Sequence, residues 1–227
     1  PVRTGAAAMS AAREAILGAI RRALGSDGGD RADPGDIVRE ADALVGDPAR
    51  FQPKFDDMTN RERFIARATS ERLTATVDEV VGIGDVPAAV VRYLTSQNLA
   101  PSIALQPVAA LGELDWGAID RHDTIGVDEP VSVTMADYAI AETGTLVFTS
   151  RADSPVLMNF LPLHHVIVLD GARILRHPED YWALSESARQ PRSTNFITGT
   201  SGTADIEGQN IRGAHGPRFM HVVIFGG

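Results

Sequence analysis

The chain has 227 residues, of which 44% are hydrophobic and 22% charged, as is ordinary for a globular protein of one large domain. The formal net charge of −9 argues against a nucleic-acid surface, because phosphate contacts need clustered Lys and Arg. These residues contain no Cys, which excludes disulfides and thiolate-bound iron–sulfur or zinc centres, and no apolar run reaches the roughly 20 residues that span a bilayer.

The N-terminal residues predict one helix followed by a linker. Ser10 is a favoured N-cap and Gly25 can end the helix. The apolar stripe of this helix consists of Ile16, Leu17, Ile20 and Leu24. Residues 26–35 are rich in Gly and Asp and predict a flexible linker. We therefore assign residues 1–50 to an N-terminal helical arm and residues 51–227 to the main domain. The arm packs either on its own domain or on a partner.

The first half of the main domain alternates helices and strands. Thr59 and Glu62 match a capping box, which predicts a helix beginning near Thr59. A short strand is expected over residues 74–77, a helix over residues 85–94 and a strand over residues 102–105. This alternation is typical of α/β proteins.

The second half is dominated by strands rich in Val, Ile, Thr and Phe. The predicted strands are residues 124–127, 131–135, 145–149, 165–169, 195–198 and 221–225. A helix is expected over residues 178–188, with Pro178 in its first turn. Two of the strands are apolar on both faces, which indicates a sheet covered on both sides. The sequence therefore predicts an α/β fold: a three-layer, mostly parallel sheet with helices on both faces.

A segment rich in Gly, Ser and Thr, residues 198–217, is the first candidate site. Its small residues let backbone N–H groups approach an anion closely, and Thr203 can cap a short helix that starts at Ala204. The predicted ligand-binding residues are Gly199, Thr200, Ser201, Gly202, Thr203 and Arg218. The predicted catalytic residues here are Asp205, Glu207 and His215, which can orient a ligand hydroxyl, act as a base or steady negative charge. The alternative is a polar surface loop.

A second candidate is the turn that precedes the strand at residues 145–149. Glu142 can act as a nucleophile or base at this turn, with Thr143, Gly144 and Thr145 holding a ligand beside it. The alternative is a solvated turn carboxylate.

The histidines form a third group of candidates. His164 and His165 are adjacent in a strand, so their side chains point to opposite faces; we expect one to pack and the other to meet solvent or a ligand, and we assign His164 to the ligand. His177 is most simply a helix cap, and His221 the start of a strand. Because no carboxylate–histidine spacing is typical of a metal site, we expect neither a metal nor another cofactor.

The C-terminal segment GTSGTADIE at residues 199–207, followed by GAHGP at 213–217, resembles the signature of the LUD-domain family. The similarity is closest to the lactate utilization protein C (LutC/YkgG) branch and covers roughly residues 55–227. The patterns AETGTL at residues 141–146 and PLHH at 162–165 fall where that family keeps similar ones.

The resemblance implies a fold like the sugar-phosphate isomerase and CoA-transferase superfamily (NagB/RpiA/CoA-transferase-like). It also implies a role in oxidising L-lactate to pyruvate together with iron–sulfur companion subunits. Three functions stay open. The first is a non-redox subunit that binds a small anionic metabolite or the iron–sulfur subunits. The second is a stand-alone CoA-transferase-like, phosphosugar or folate-type enzyme using Glu142, and the third is a scaffold with a vestigial pocket.

The start of the chain bears on its location. Residues 1–10 lack a basic segment followed by an apolar run, so we expect no signal peptide. The lack of Cys fits a reducing compartment. A cytoplasmic location is therefore predicted, with no membrane span.

Overall fold

The computed structural model describes residues 4–23, 33–50, 52–55, 57–185, 191–204, 210–213 and 215–226. These residues divide into two units, Pro1–Gln52 and Pro53–Gly227. The assignment of residues 1–50 to a helical arm and of residues 51–227 to a LUD-type main domain stays a prediction.

The N-terminal unit contains two helices, α1 (Thr4–Ala23) and α2 (Pro34–Gly46). Ser10, the predicted N-cap, lies inside α1, because the Ala-rich residues before it also favour a helix. The end of the predicted linker belongs to α2: Asp33 accepts a hydrogen bond from the Gly35 N–H at 2.9 Å, and Pro34 occupies the first helical position. The rest of that linker lies outside the described residues.

The described residues of the main unit form four further α-helices and twelve strands. The helices are α3 (Asn60–Ala68), α4 (Val86–Ser96), α5 (Ala109–Gly112) and α6 (Pro178–Ser185). The strands are β1 (Thr76–Val80), β2 (Ser102–Leu105), β3 (Asp120–His122), β4 (Val131–Met135), β5 (Tyr138–Ile140), β6 (Thr145–Thr149), β7 (His164–Asp170), β8 (Ile174–Leu175), β9 (Thr194–Thr198), β10 (Gly202–Ala204), β11 (Asn210–Arg212) and β12 (Phe219–Phe225).

The main sheet has six strands in the order β1-β12-β7-β4-β2-β3, and every neighbouring pair is parallel. A second sheet, in the order β8-β5-β6-β9, is mixed, since β8 pairs parallel with β5 while the other pairs are antiparallel. β10 and β11 form a separate antiparallel pair. The predicted α/β class with a mostly parallel sheet is confirmed.

Two apolar cores lie on opposite faces of the main sheet. Val166 and Val168 of β7 belong to the core shared with α4 and α5, whereas Ile167 and Leu169 belong to the core shared with α3 and the second sheet. This alternation follows from the two-residue period of a strand. One face is therefore covered by helices, and the other by α3 together with the second sheet.

Local signals placed several elements correctly. The capping box at α3 is present: the Glu62 N–H donates to Thr59 Oγ1 at 3.2 Å, and the Thr59 N–H donates to Glu62 Oε2 at 2.8 Å. The hydrogen bond from the Thr59 backbone lowers the pKa of Glu62. Residues 131–135 and 145–149 are strands with the predicted bounds.

The strand predicted at residues 124–127 is wrong. The chain forms β3 just before it, pairing with β2, and then enters a turn in which Val127 is 83% exposed. Gly126 lies in this turn, and its N–H points to Glu129 Oε2 at 3.5 Å. The β-branched residues that suggested a strand have no neighbouring strand to pair with.

Among the helices that the structure describes, none is long and apolar enough to cross a membrane.

Candidate functional site

The second sheet brings Glu142 and His177 together through its register. β5 and β8 run parallel, with Ile140 opposite Leu175. The pairing continues past the strand ends, since the Glu142 N–H donates to the Arg176 carbonyl at 3.1 Å. Both strands have the same rise per residue, so Glu142 and His177 lie side by side just beyond the ends of β5 and β8. Glu142 Oε2 lies 2.8 Å from His177 Nδ1, within hydrogen-bond distance.

A cleft of about 550 Å³ opens beside this pair. The lining residues are Pro53, Phe55, Arg67, Ser70, Arg72, Leu73, Glu142, Thr143 and Thr198. His177 is buried, and its ring stacks on Phe55 with 4.8 Å between ring centroids. The Glu142 side chain is 21% exposed, so it remains accessible from the cleft. A glutamate, two arginines and three hydroxyl-bearing residues therefore line one space.

Hydroxyl groups connect the Glu142 turn to the start of the Gly-rich segment. Thr145 Oγ1 lies 2.7 Å from Thr143 Oγ1 and 2.6 Å from Thr198 Oγ1. Gly144 has φ +71°, and a Cβ there would come within 2.9 Å of Arg67 Cβ. The turn therefore needs glycine both for its left-handed backbone and for its contact with α3. The structure brings together Glu142, Thr143 and Thr145 of the predicted site residues.

Two backbone N–H groups of the Gly-rich segment donate hydrogen bonds to carbonyl groups of the protein itself. The Thr200 N–H donates to the Leu73 carbonyl at 3.1 Å, and the Ser201 N–H donates to the Pro217 carbonyl at 2.9 Å. Gly199 has φ +78°, and a Cβ there would lie 2.8 Å from Leu73 Cα. Thr200 Oγ1 lies 2.9 Å from the Thr74 hydroxyl. These contacts fix the segment against the loop that follows α3.

The short helix expected to start at Ala204 would continue over residues 205–209, which lie outside the described residues. Ala204 itself lies in a strand, since Gly202–Ala204 form β10 and pair with Asn210–Arg212 in β11. The predicted catalytic residues Asp205 and Glu207 lie outside the described residues. The ligand-binding roles of Gly202 and Thr203 stay predictions.

His215 and Arg218 are exposed near the end of the segment. The Arg218 guanidinium carbon lies 5.5 Å from the centre of the Phe219 ring, and the Arg218 N–H donates to the Leu163 carbonyl. Neither residue belongs to the described lining of the Glu142 cleft. Their predicted catalytic and binding roles stay predictions.

His164 and His165 are both buried, so of the two partners expected for one of these rings, solvent is excluded and a ligand stays a prediction. His164 Nδ1 lies 2.9 Å from the Tyr93 hydroxyl, and His165 Nε2 lies 2.7 Å from the Thr134 hydroxyl. Burial lowers the pKa of both rings, that of His165 to about 3. β7 is a central strand covered on both faces, which leaves neither ring in water. A ligand contact for His164 stays a prediction.

His177, Phe55, Arg67 and Arg72 were not predicted as site residues. His177 does precede α6, where its N–H donates to Asp180 Oδ2 at 2.9 Å, as expected for a helix cap. Its ring, however, faces Glu142. The signal that could have found this pair is the parallel alignment of β5 with β8, which a single sequence does not display.

The sequence model of the LUD domain family matches residues 127–225. Lactate utilization protein C of Deinococcus radiodurans is 31% identical over 115 residues, which cover 50% of this chain and 51% of that protein. Lactate utilization protein C of Anoxybacillus flavithermus is 32% identical over 112 residues, covering 48% of this chain and 51% of that protein. The chain thus spans about half the length of the curated relatives it matches.

A solved structure supports the fold. The crystal structure of a DUF162 family protein from Deinococcus radiodurans superposes with a TM-score of 0.57 at 22% identity, covering 74% of this chain and 99% of that one. At this identity the likeness concerns the fold alone. The resemblance to the LUD-domain family is confirmed by the sequence matches.

Proposed function

We propose a role in the utilisation of L-lactate, as a non-redox component that binds a small anionic metabolite, on the basis of the match between residues 127–225 and the LUD domain family. The observation that carries the proposal is the set of matches to proteins named lactate utilization protein C. The proposed location is the cytoplasm. The proposed binding site is the cleft beside Glu142.

The chemistry of the cleft supports a small carboxylate as the ligand. Arg67 and Arg72 lie on its lining, and guanidinium groups bind carboxylates through paired hydrogen bonds. Glu142 can accept a hydrogen bond from a ligand hydroxyl in the same space. L-lactate carries both groups, a carboxylate and a neighbouring hydroxyl. Pyruvate carries only the carboxylate and a carbonyl, so we expect it to bind more weakly at Glu142.

Any thiolate-bound iron–sulfur cluster of a lactate-utilisation system must lie outside these residues, because they contain no Cys. We therefore propose iron–sulfur subunits of a lactate-oxidising complex as partners. A pull-down against such subunits from the same organism tests this, with the clusters both oxidised and reduced. Absence of association in both states would contradict the partner proposal while leaving ligand binding to be judged separately.

Calorimetric titration and thermal unfolding with L-lactate and pyruvate test the ligand proposal. A ligand that binds the folded state alone adds about 2.7 kcal/mol of stability at a hundredfold excess over its dissociation constant. We expect Arg72→Ala and Glu142→Gln each to weaken L-lactate binding by about tenfold, the size of one lost charge-assisted hydrogen bond. Arg121→Ala is the matched control, because exposed Arg121 lies on β3 at the edge of the main sheet. Equal weakening in the control would contradict the assigned cleft.

The accessible Glu142 carboxylate also favours a second candidate, a stand-alone enzyme of the CoA-transferase-like class or one acting on phosphosugars or folates. In that role Glu142 is the nucleophile or base. The same thermal experiment with CoA, acyl-CoA, sugar phosphates and folate separates the two functions. Stabilisation by one of these compounds, without stabilisation by L-lactate, would favour the enzyme.

A further inference from the structure

We propose that Glu142, His177 and Glu179 bind a divalent first-row transition-metal ion beside the cleft. One ligand atom from each residue lies within 4.8 Å of the other two. Within the part of the chain that the structure describes, this is the one group of three or more such side chains that is close enough to share an ion. Imidazole and carboxylate groups are ligands that zinc and its first-row neighbours accept.

The spacing suits a metal ion after small side-chain movements. Zinc bonds to nitrogen and oxygen of about 2.1 Å, at tetrahedral angles, place neighbouring ligand atoms about 3.4 Å apart. Glu142 Oε2 and His177 Nδ1 are now 2.8 Å apart, a distance typical of a hydrogen bond. An ion that replaces this hydrogen bond requires the two atoms to separate slightly and the Glu179 carboxylate to approach. Side-chain rotation supplies such movements without changing the backbone.

The backbone holds the three residues in position before an ion binds. Glu142 is fixed by its N–H bond to the Arg176 carbonyl, which extends the ladder between β5 and β8. Asp180 Oδ2 accepts the N–H groups of Arg176 and His177 at 3.1 and 2.9 Å. Glu179 is the second residue of α6, which begins directly after His177. Hydrogen bonds from the main-chain N–H groups of Glu142, Arg176 and His177 therefore hold the two turns that present all three ligands.

A second histidine–carboxylate pair provides an internal comparison. His122 Nε2 lies 3.0 Å from Glu129 Oε2 in the loop after β3. No third metal-ligating side chain of the described residues joins this pair. The two pairs have similar distances but different numbers of ligands. A third ligand is what separates a metal site from an ordinary hydrogen bond.

Three protein ligands leave at least one coordination position open, as in catalytic zinc sites. Because Glu142 lines the cleft, the open position is accessible to an oxygen of a small ligand there. Metal binding itself does not depend on the proposed role in lactate utilisation. The sequence predicted no metal here because Glu142 and His177 are 35 residues apart and only the sheet brings them together.

Titration of the tag-free chain with Zn²⁺, followed by calorimetry and by metal analysis after desalting, tests the site without any organic ligand. We expect one equivalent of bound zinc. Glu142→Gln, His177→Ala and Glu179→Gln should each weaken binding by at least about tenfold, the lower end of what loss of a supporting group costs. The matched control His122→Ala should keep the wild-type affinity. Cobalt(II) substitution should give visible absorption bands of a four- or five-coordinate ion that disappear in Glu179→Gln.

The outcome is read only on variants whose circular dichroism and thermal midpoint show that they fold; Glu179→Gln, at an exposed position, is the variant least prone to misfold. Wild-type zinc affinity in any folded one of the three variants would overturn the three-ligand site. Absence of stoichiometric zinc in the wild type would overturn it as well. Neither result bears on L-lactate binding measured in a chelator, which tests the proposed function separately.

Discussion

Two regions of the main unit contain histidines with different hydrogen-bond partners, hydroxyl groups in the core and a carboxylate beside the cleft. The core histidines, His164, His165 and His221, lie between the layers of the fold and meet hydroxyl and aromatic groups. The cleft pair, Glu142 and His177, lies where β5 and β8 end. Burial lowers the pKa of His165 to about 3 and that of His221 to about 4.

The difference teaches that the neighbours of a histidine decide its role. A buried ring without a carboxylate stays neutral and serves as a packing element, because burial penalises its charged form. His221 stacks on Tyr93 with 4.4 Å between centroids, and its Nδ1 lies 2.8 Å from the Thr76 hydroxyl. His177 has a carboxylate at 2.8 Å and an adjacent cleft. The cleft pair therefore offers a carboxylate and an imidazole to a cation, whereas the core rings have no carboxylate as a hydrogen-bond partner.

The largest expected effect is acid destabilisation through the core histidines. The pKa values of these rings are lower in the folded state than the unfolded value near 6.5, so unfolding takes up protons. The free energy of unfolding therefore decreases as the pH is lowered. For His165 and His221 together, the free energy of unfolding should fall by about 4 kcal/mol between about pH 6.5 and 4.5. Urea unfolding at several pH values measures this. His221→Phe, which keeps a ring beside Tyr93, should remove about half of that dependence.

An unchanged pH dependence in His221→Phe would contradict a neutral His221 in the folded protein. His177→Gln is the companion variant. It should leave the same acid dependence in place, since the core histidines cause it. A large reduction of the pH dependence in His177→Gln would contradict the assignment of that dependence to the core histidines.

The next effect concerns the turn that carries Glu142. Gly144→Ala places a Cβ 2.9 Å from Arg67 Cβ at a residue with φ +71°. We expect a loss of about 3 kcal/mol in the free energy of unfolding, from left-handed strain together with overpacking. Gly112→Ala is the control, because a Cβ there meets nothing within 4 Å. Its stability should be unchanged or slightly higher, and a loss as large as that of Gly144→Ala would contradict the assignment.

A smaller effect isolates the cleft pair itself. A double-mutant cycle of Glu142→Ala and His177→Ala should give a coupling energy of about 1.5 kcal/mol, the value of a hydrogen bond to a charged group. Chemical denaturation at pH 7 supplies the four free energies. Additive single variants would show that the contact between Glu142 and His177 contributes nothing to stability.

The smallest effect concerns the hydroxyl chain beside the cleft. Thr145→Val keeps the shape of the side chain but removes the contacts to Thr143 and Thr198, so it should cost about 1 kcal/mol. Thr95→Val is the comparison, because Thr95 is exposed and its hydroxyl donates to the Val91 carbonyl within α4. Thermal unfolding of both variants measures the difference. An equal cost would show that the chain of hydroxyls does not hold the turn.

Local patterns predicted much of the fold. The capping box of Thr59 and Glu62 set the start of α3, and β4 and β6 have the predicted bounds. These features depend on neighbouring residues, which a sequence displays directly. β3 and the pair of β10 and β11 were missed because each strand depends on a partner.

The candidate site was predicted in part. Glu142 was recognised by its place in a turn before a strand, and the structure places it on a cleft. His177, Arg67 and Phe55 were missed. They reach the cleft from three different segments, and the distance between such segments depends on sheet register and packing.

The sequence by itself determined the α/β class, the two-sided burial of β7 and β12, and the turn that presents Glu142. Hydrophobic period, caps and glycine positions act over a few residues, so they can be read along the chain. Only the tertiary structure decided that His165 is buried without a carboxylate while His177 meets one. The physical reason is that the charge and coordination of a side chain depend on atoms around it in space, which strand pairing brings together from distant parts of the chain.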